Sequence, residues 1–392
     1  MPKLSQRITT LNGDGSDGWD VFYRARAMIA AGEDVIELTI GEHDIRTDPT
    51  ILNAMYDSAI GGHTGYAMVP GVDALRTRVA ERTEALTGAP TTKDNVLITP
   101  GGQAALFAAH MTVCSPGDRA VYIDPYYATY PGVVRAASAK PCTVATRAEV
   151  CFLPERAALE TACTGAVSLL INTPNNPTGA VYPRETLEVI ADVVTAQDMW
   201  LISDEVYDTQ IWEGTHLSPR ALPGMADRTL VVGSMSKSHA MTGSRVGWLI
   251  GPQDAISCAI DLATNTTYGV PGFLQDAALF ALDAEGLDIK VGTPFQRRRD
   301  IAQRVLSNHP AVRAVPAQGA MYVMLDVRRT GLSGEAFANA LLDTHRIAVM
   351  PGESFGTSAA GHLRIAMTVA DDRFEAALQT ICQFADGLAW AA

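Results

Sequence analysis

A lysine that follows directly on a buried strand has to be paired or put to chemical use, because burying an unpaired ammonium is costly. Lys237 is such a lysine: it lies in residues 233–239, G-S-M-S-K-S-H, after the apolar run at 230–232. Ser234, Ser236 and Arg245 surround it in the chain, and hydroxyls with a guanidinium suit a phosphate. The same stretch also fits S-x-x-K, a signature of serine acylases. That reading needs a K-T-G, which the chain lacks, and an S-D-N, to which residues 203–205 (S-D-E) correspond only in part.

Three further polar segments come after apolar runs in the same way. Residues 99–105, T-P-G-G-Q-A-A, precede a helical pattern. Gly101 and Gly102 there allow close backbone approach, and a helix start offers unpaired N–H groups to an anion. Residues 172–179, N-T-P-N-N-P-T-G, form a stiff loop presenting the amides of Asn175 and Asn176. Residues 203–207, S-D-E-V-Y, set Asp204 at the end of an apolar run, where a carboxylate needs a cationic or N–H partner, with Tyr207 three residues on. Taken singly, each segment has a plain alternative as a tight turn, a polar loop or a helix cap.

The elements that would position these groups are legible as alternating patterns. Apolar runs at 96–98, 120–123, 167–171, 200–202, 230–232 and 246–250 are separated by helical stretches such as 103–113 and 184–196. Continuous apolar runs between helices indicate parallel strands covered on both faces, an α/β arrangement. In such sheets ligands bind beyond the carboxyl ends of strands, where all four polar segments fall. A helical stretch at 293–307 leads into strand-like runs at 321–326, 347–350 and 363–367 with helices at 334–344 and 371–388, a smaller α+β unit. The expected division is residues 1–45 folding back onto the small domain, 46–290 as the large domain and 291–392 as the small one. The run at 12–18, N-G-D-G-S-D-G, lacks the register and closing Glu of a calcium loop and reads as a capped turn before a helix near Trp19.

Bulk properties narrow the function. Net charge is −13, which argues against a nucleic-acid surface, although a local Arg cluster can still hold an anion. The six cysteines form no C-x-x-C pair and read as free thiols of a cytoplasmic protein rather than disulfides or metal ligands. No apolar stretch is long and charge-free enough to span a bilayer, and no secretory h-region opens the chain.

In order, N-x-P-N-N-P-T-G, S-D-E-V-Y and S-x-S-K-x-x-x-x-x-G-x-R-x-G resemble the fold-type-I, class I and II aminotransferases that use pyridoxal 5'-phosphate, over nearly the whole chain. The resemblance implies that fold: a large domain whose mostly parallel sheet is sandwiched by helices, plus a smaller α+β domain. It implies Lys237 as Schiff-base lysine and proton shuttle, Asp204 as partner of the pyridinium nitrogen, and Tyr207 and Asn176 at the phenolic oxygen. The phosphate falls to Gly102, Gln103 and Ala104 at the helix start with Ser234, Ser236 and Arg245. Tyr127 stands where an aromatic stacks on the ring, and Tyr66 where a tyrosine reaches the phosphate of a neighbouring subunit, which implies a homodimer. Arg364, in H-L-R-I-A at 362–366, corresponds to the clamp on the substrate carboxylate, and Gly41 and Asn176 to groups beside it.

Two positions depart from the family pattern: His43 where proline is common, and Ser244 where tryptophan is frequent. The resemblance implies ping-pong transfer of an amino group from an L-amino acid to a 2-oxo acid. Residues 236–243, 297–300, 331–333 and 358–362 are similar to arginine–pyruvate transaminases, for which Glu42 and Asp44 are the acidic candidates near the substrate. A carbon–sulfur β-lyase would share the cofactor residues, and a non-catalytic regulator would need an added DNA-binding segment, of which little is visible on this acidic chain.

Overall fold

The computed structural model describes residues 2–13, 18–307 and 309–389. The turn expected within 12–18 falls mostly outside them; the helix after it begins at Asp20. Among the described residues twelve strands form two sheets: β1 (Ile36–Leu38), β2 (Val96–Thr99), β3 (Arg119–Asp124), β4 (Lys140–Ala145), β5 (Ser168–Asn172), β6 (Trp200–Asp204), β7 (Thr229–Ser234), β8 (Gly247–Ile250), β9 (Arg313–Ala314), β10 (Tyr322–Asp326), β11 (Ile347–Pro351) and β12 (His362–Ala366). The larger sheet runs β2-β8-β7-β6-β5-β3-β4 and the smaller β1-β11-β12-β10-β9.

Alternation within the apolar runs explains how the large sheet is covered. Leu170, Ile202, Leu230 and Val232 face helices Gly102–Val113 and Gln253–Thr264. Their neighbours Leu169, Ile171 and Leu201 pack on the opposite side, against helix Arg184–Ala196. Every one of these side chains is essentially removed from water, so each stabilises the fold by about 1.5–3 kcal/mol. All four loaded segments then emerge at the ends of β2, β5, β6 and β7.

Three features differ from the sequence reading. β8 runs antiparallel to both neighbours, because residues 235–246 hold only a four-residue helix and a tight turn in place of a crossover helix. β4 is an additional edge strand; it carries Pro141 and is mostly solvated, so it offers no apolar run to read. Helix Leu287–Leu306 continues through Pro294 and starts earlier than its Arg-rich part suggests.

The second sheet has its own core, with Phe295, Phe337, Leu341, Phe374 and Ile381 around its strands. β1, from the N-terminal segment, lies parallel beside β11 and enters that core through Leu38. Among the described residues no helix is long and apolar enough to cross a membrane.

Candidate active site

Gly101 ends the turn after β2 at φ 80, ψ 172, a conformation open essentially only to glycine. A Cβ there would stand 2.2 Å from Nη2 of Arg245, so the missing side chain lets the guanidinium lie against the start of helix Gly102–Val113. The first N–H groups of that helix, at Gly102, Gln103 and Ala104, have no partner inside it. Arg245, itself at φ 54, donates Nη1 to the Thr242 carbonyl (2.9 Å) and Nη2 to that of Pro100 (3.3 Å). Ser234 and Ser236 close the same corner, the Ser234 hydroxyl accepting from the Ser236 N–H at 3.1 Å. Unpaired N–H groups, two hydroxyls and a guanidinium around a glycine-lined hollow match a phosphate.

Asp204, the last residue of β6, pairs in register with Asn172, whose side-chain amide donates to the Asp204 carbonyl at 2.9 Å. Burial pushes the Asp204 carboxyl up to about 6, while the Tyr130 hydroxyl, donating to Oδ2 at 2.7 Å, and the Val206 N–H oppose the rise. Tyr207, one turn on, sets its hydroxyl 3.0 Å from that of Tyr322, and burial holds its phenol well above the ordinary range. Asn176 receives a backbone anchor from below: its N–H donates to Asn172 Oδ1 at 2.7 Å.

Lys237 faces this group from the short helix after β7. Its Nζ donates to the Gly41 carbonyl, and its own carbonyl is held by Gln210 Nε2 and by His43 Nε2, each at 3.0 Å. Burial lowers the lysine pKa, with Arg364 and Arg245 acting the same way and Tyr322 and Glu42 opposing. A lysine so depressed has a readier neutral, nucleophilic amine. His43 stands where proline is common in the family; burial, then the charge of Lys237, lower it to about 4, so its ring is neutral and stacks edge-on against Phe295.

Arg364 is fully buried on β12, its guanidinium between the rings of Tyr322 (4.5 Å) and Phe355 (4.4 Å). Nη1 donates to Asn176 Oδ1 at 2.9 Å and Nη2 to the Thr39 carbonyl, while Nε has no partner among the described residues. Such a clamped planar fork suits a carboxylate.

These groups share one cavity of about 290 Å³, lined among others by Gly41, Gly102, Gln103, Tyr127, Asn176, Asp204, Tyr207, Ser234, Ser236, Lys237, Arg245 and Arg364. Ala104 does not line it, and Tyr66 stands away from it, 92% exposed and edge-on to Tyr268. The cavity also takes in Trp19, Tyr130, Asn172 and Tyr322, to which sequence reasoning gave no role. Asn172 opens a motif already singled out, and Tyr130 repeats Tyr127 at a spacing of three; Tyr322 carries no signal beyond its strand. Of the two acids after Gly41, Asp44 is clamped by both Nη atoms of Arg298 (2.9 and 2.7 Å), whereas Glu42 lines the cavity.

Comparison with known proteins agrees with this geometry. The model of aminotransferase class I and II matches residues 33–381. The arginine–pyruvate transaminase of Pseudomonas aeruginosa is 42% identical over 96% of both chains. A probable aspartate/prephenate aminotransferase of Thermus aquaticus is 33% identical over 98% of this chain and 99% of its own. A single mutant of the aspartate aminotransferase of Thermus thermophilus superposes with a TM-score of 0.92 at 31% identity, covering 98% of this chain and all of that one. The chain therefore belongs to the class I and II aminotransferases, enzymes that use pyridoxal 5'-phosphate to pass an amino group from an amino acid to a 2-oxo acid.

Proposed function

We propose that this enzyme moves the amino group of an L-amino acid with a cationic side chain, arginine first, to pyruvate, in two half-reactions that share one site. The observation that carries this is the count of cations. Among the described residues the cavity is lined by only three, Lys237, Arg245 and Arg364. Arg245 belongs with the phosphate corner and Lys237 with the reacting carbon, which leaves Arg364 for a single substrate carboxylate. A dicarboxylate would leave its second charge facing Gln103 and Glu42, without a cationic partner. The 42% identity to an arginine–pyruvate transaminase supports the same choice.

In this reading the N–H groups of Gly102, Gln103 and Ala104, with Ser234, Ser236 and Arg245, hold the cofactor phosphate. Asp204 would pair with the ring nitrogen, Asn176 and Tyr207 would serve the phenolic oxygen, and Tyr127 would stack on the ring. Bound there, pyridoxal phosphate supplies a sink for the charge left on the substrate Cα when its proton departs. Arg364, Asn176 and the Gly41 backbone orient the substrate carboxylate, and the neutral amine of Lys237 carries the Cα proton. The working units are residues 46–290 for the cofactor and 291–392, with 1–45 against them, for the carboxylate. Exposed Tyr56, Ile60, Tyr66, Met68 and Tyr268 support a homodimer in which Tyr66 reaches the phosphate of the partner subunit.

The test is a panel of amino donors assayed with pyruvate and with 2-oxoglutarate. Pyruvate should outperform 2-oxoglutarate by about tenfold or more in kcat/KM, the usual penalty for an unmatched charge. Equal use of both acceptors would remove the argument from cation count, and ammonia release without transfer would identify a lyase.

A further inference from the structure

With the carboxylate on Arg364 and the amine toward Lys237, the substrate side chain has to leave along the remaining wall. That wall carries Trp19, Glu42 and Gln103. Trp19 and Gln103 also line an adjoining outer recess of about 610 Å³, so they stand where the cavity opens outward. Glu42 is exposed, and no hydrogen bond or ion pair joins its carboxylate to any described residue. Asp44, by contrast, is neutralised by Arg298, which Asp371 also holds at 2.9 Å. The two acids after Gly41 have thus parted ways: one braces the small domain, and the other leaves its negative charge at the opening.

The position of Glu42 is fixed from both sides. Gly41 before it accepts from Lys237 Nζ, and His43 after it bonds the Lys237 carbonyl at 3.0 Å. Its charge is close enough to favour a cation at Lys237. Gly41 cannot yield, since a Cβ there would meet the Tyr322 hydroxyl at 1.8 Å. Trp19 is steadied edge-on by Phe22, with ring centroids 5.8 Å apart.

We propose that Trp19, Glu42 and Gln103 form a subsite for the guanidinium of the amino donor. An aromatic face, a carboxylate and an amide oxygen are the three partners a flat, delocalised cation with five N–H donors can use together. A compact ammonium can engage the charge but not the flat stack, so arginine should be preferred to lysine. A neutral ureido isostere keeps the shape and loses the charge, so arginine should also be preferred to citrulline. This inference rests on the transaminase reading above and names what selects its donor.

The test compares arginine, citrulline, lysine and alanine as donors in the first half-reaction, monitored by the change in the cofactor's visible absorbance. Wild-type holoenzyme, Trp19→Ala, Trp19→Phe and Glu42→Gln are compared, with far-ultraviolet dichroism to verify folding. The arginine-to-alanine ratio of kcat/KM should fall about tenfold in Trp19→Ala and about fivefold in Glu42→Gln. Trp19→Phe should recover most of the ratio. Calorimetric titration of each holoenzyme with 5-guanidinopentanoate and with pentanoate adds a readout without turnover, and the guanidino acid should lose its advantage in the same two variants. A ratio unchanged in either variant, or a wild type that prefers neither arginine nor the guanidino acid, overturns the subsite while transfer from other amino acids leaves the transaminase reading standing. Absence of transfer from every donor would bring down both.

Discussion

The role proposed for Asp204 sets two demands that pull apart with pH. To pair the ring nitrogen as proposed, the carboxylate would have to be ionised, yet burial lifts this one from 3.8 to about 6. In the cofactor-free protein the folded state therefore holds a proton that the unfolded chain releases between those values. The contribution of this group to stability is greatest in acid, falls as pH rises from about 4 to about 6, and is level above. In the role proposed for this carboxyl, cofactor capture should run the other way, favoured above about 6, where the carboxylate prevails, and weakening as pH falls. Tyr130 moderates the conflict by donating to Oδ2 at 2.7 Å. Tyr130→Phe should move the lower pH edge of cofactor reconstitution upward by about one pH unit, the equivalent of one charge-assisted hydrogen bond. Fluorescence titration of cofactor-free protein with pyridoxal phosphate across pH 5–8 measures that edge; an unmoved edge would take the hydroxyl out of the account.

The turn at 99–102 and the helix behind it form the element on which the proposed phosphate corner depends. Gly101→Ala puts a methyl group where Arg245 lies and forces an unsuitable backbone, at a cost of about 1–3 kcal/mol. Its thermal midpoint should drop, and cofactor affinity should weaken about tenfold through the displaced guanidinium, both read by calorimetry. Gly243→Ala, with open space around its Cα, serves as the control and should change neither.

At this scale the sequence was most legible. Local pattern sufficed for strands such as β5–β7, for the helix after Gly102 and for the loops at their ends, because a buried strand is a run and a capped turn is a motif. The reversal of β8 was hidden because a short connection leaves no periodic signal of direction. Tyr130 and Tyr322 were hidden for another reason: each meets its partner across more than seventy positions of chain, at Asp204 and Tyr207 respectively. Nothing local distinguishes such a tyrosine from one that merely fills a core.

Across the whole molecule, the cavity is assembled from both sheets. Lys237, Asp204 and Asn176 come from the large one, and Arg364 and Tyr322 from the small one. Tyr66 is the exception, exposed beside Tyr268 and outside its own cavity. If it serves the partner's phosphate, sedimentation should give twice the chain mass. Tyr66→Phe should then loosen the cofactor about fivefold, the loss of one hydroxyl to a charged group, with the dimer intact. A monomer at working concentration, or unchanged cofactor affinity, would contradict that.

The strip from Thr39 to His43 ties together two distant parts of the cavity: Thr39 holds the arginine of β12, and Gly41 with His43 holds the lysine after β7. In the roles proposed for Arg364 and Lys237, a change in its backbone would reach carboxylate recognition and proton transfer at once. On that proposal a new donor would be accommodated at the outer wall, where a side chain can be exchanged without retuning Arg364 and Lys237.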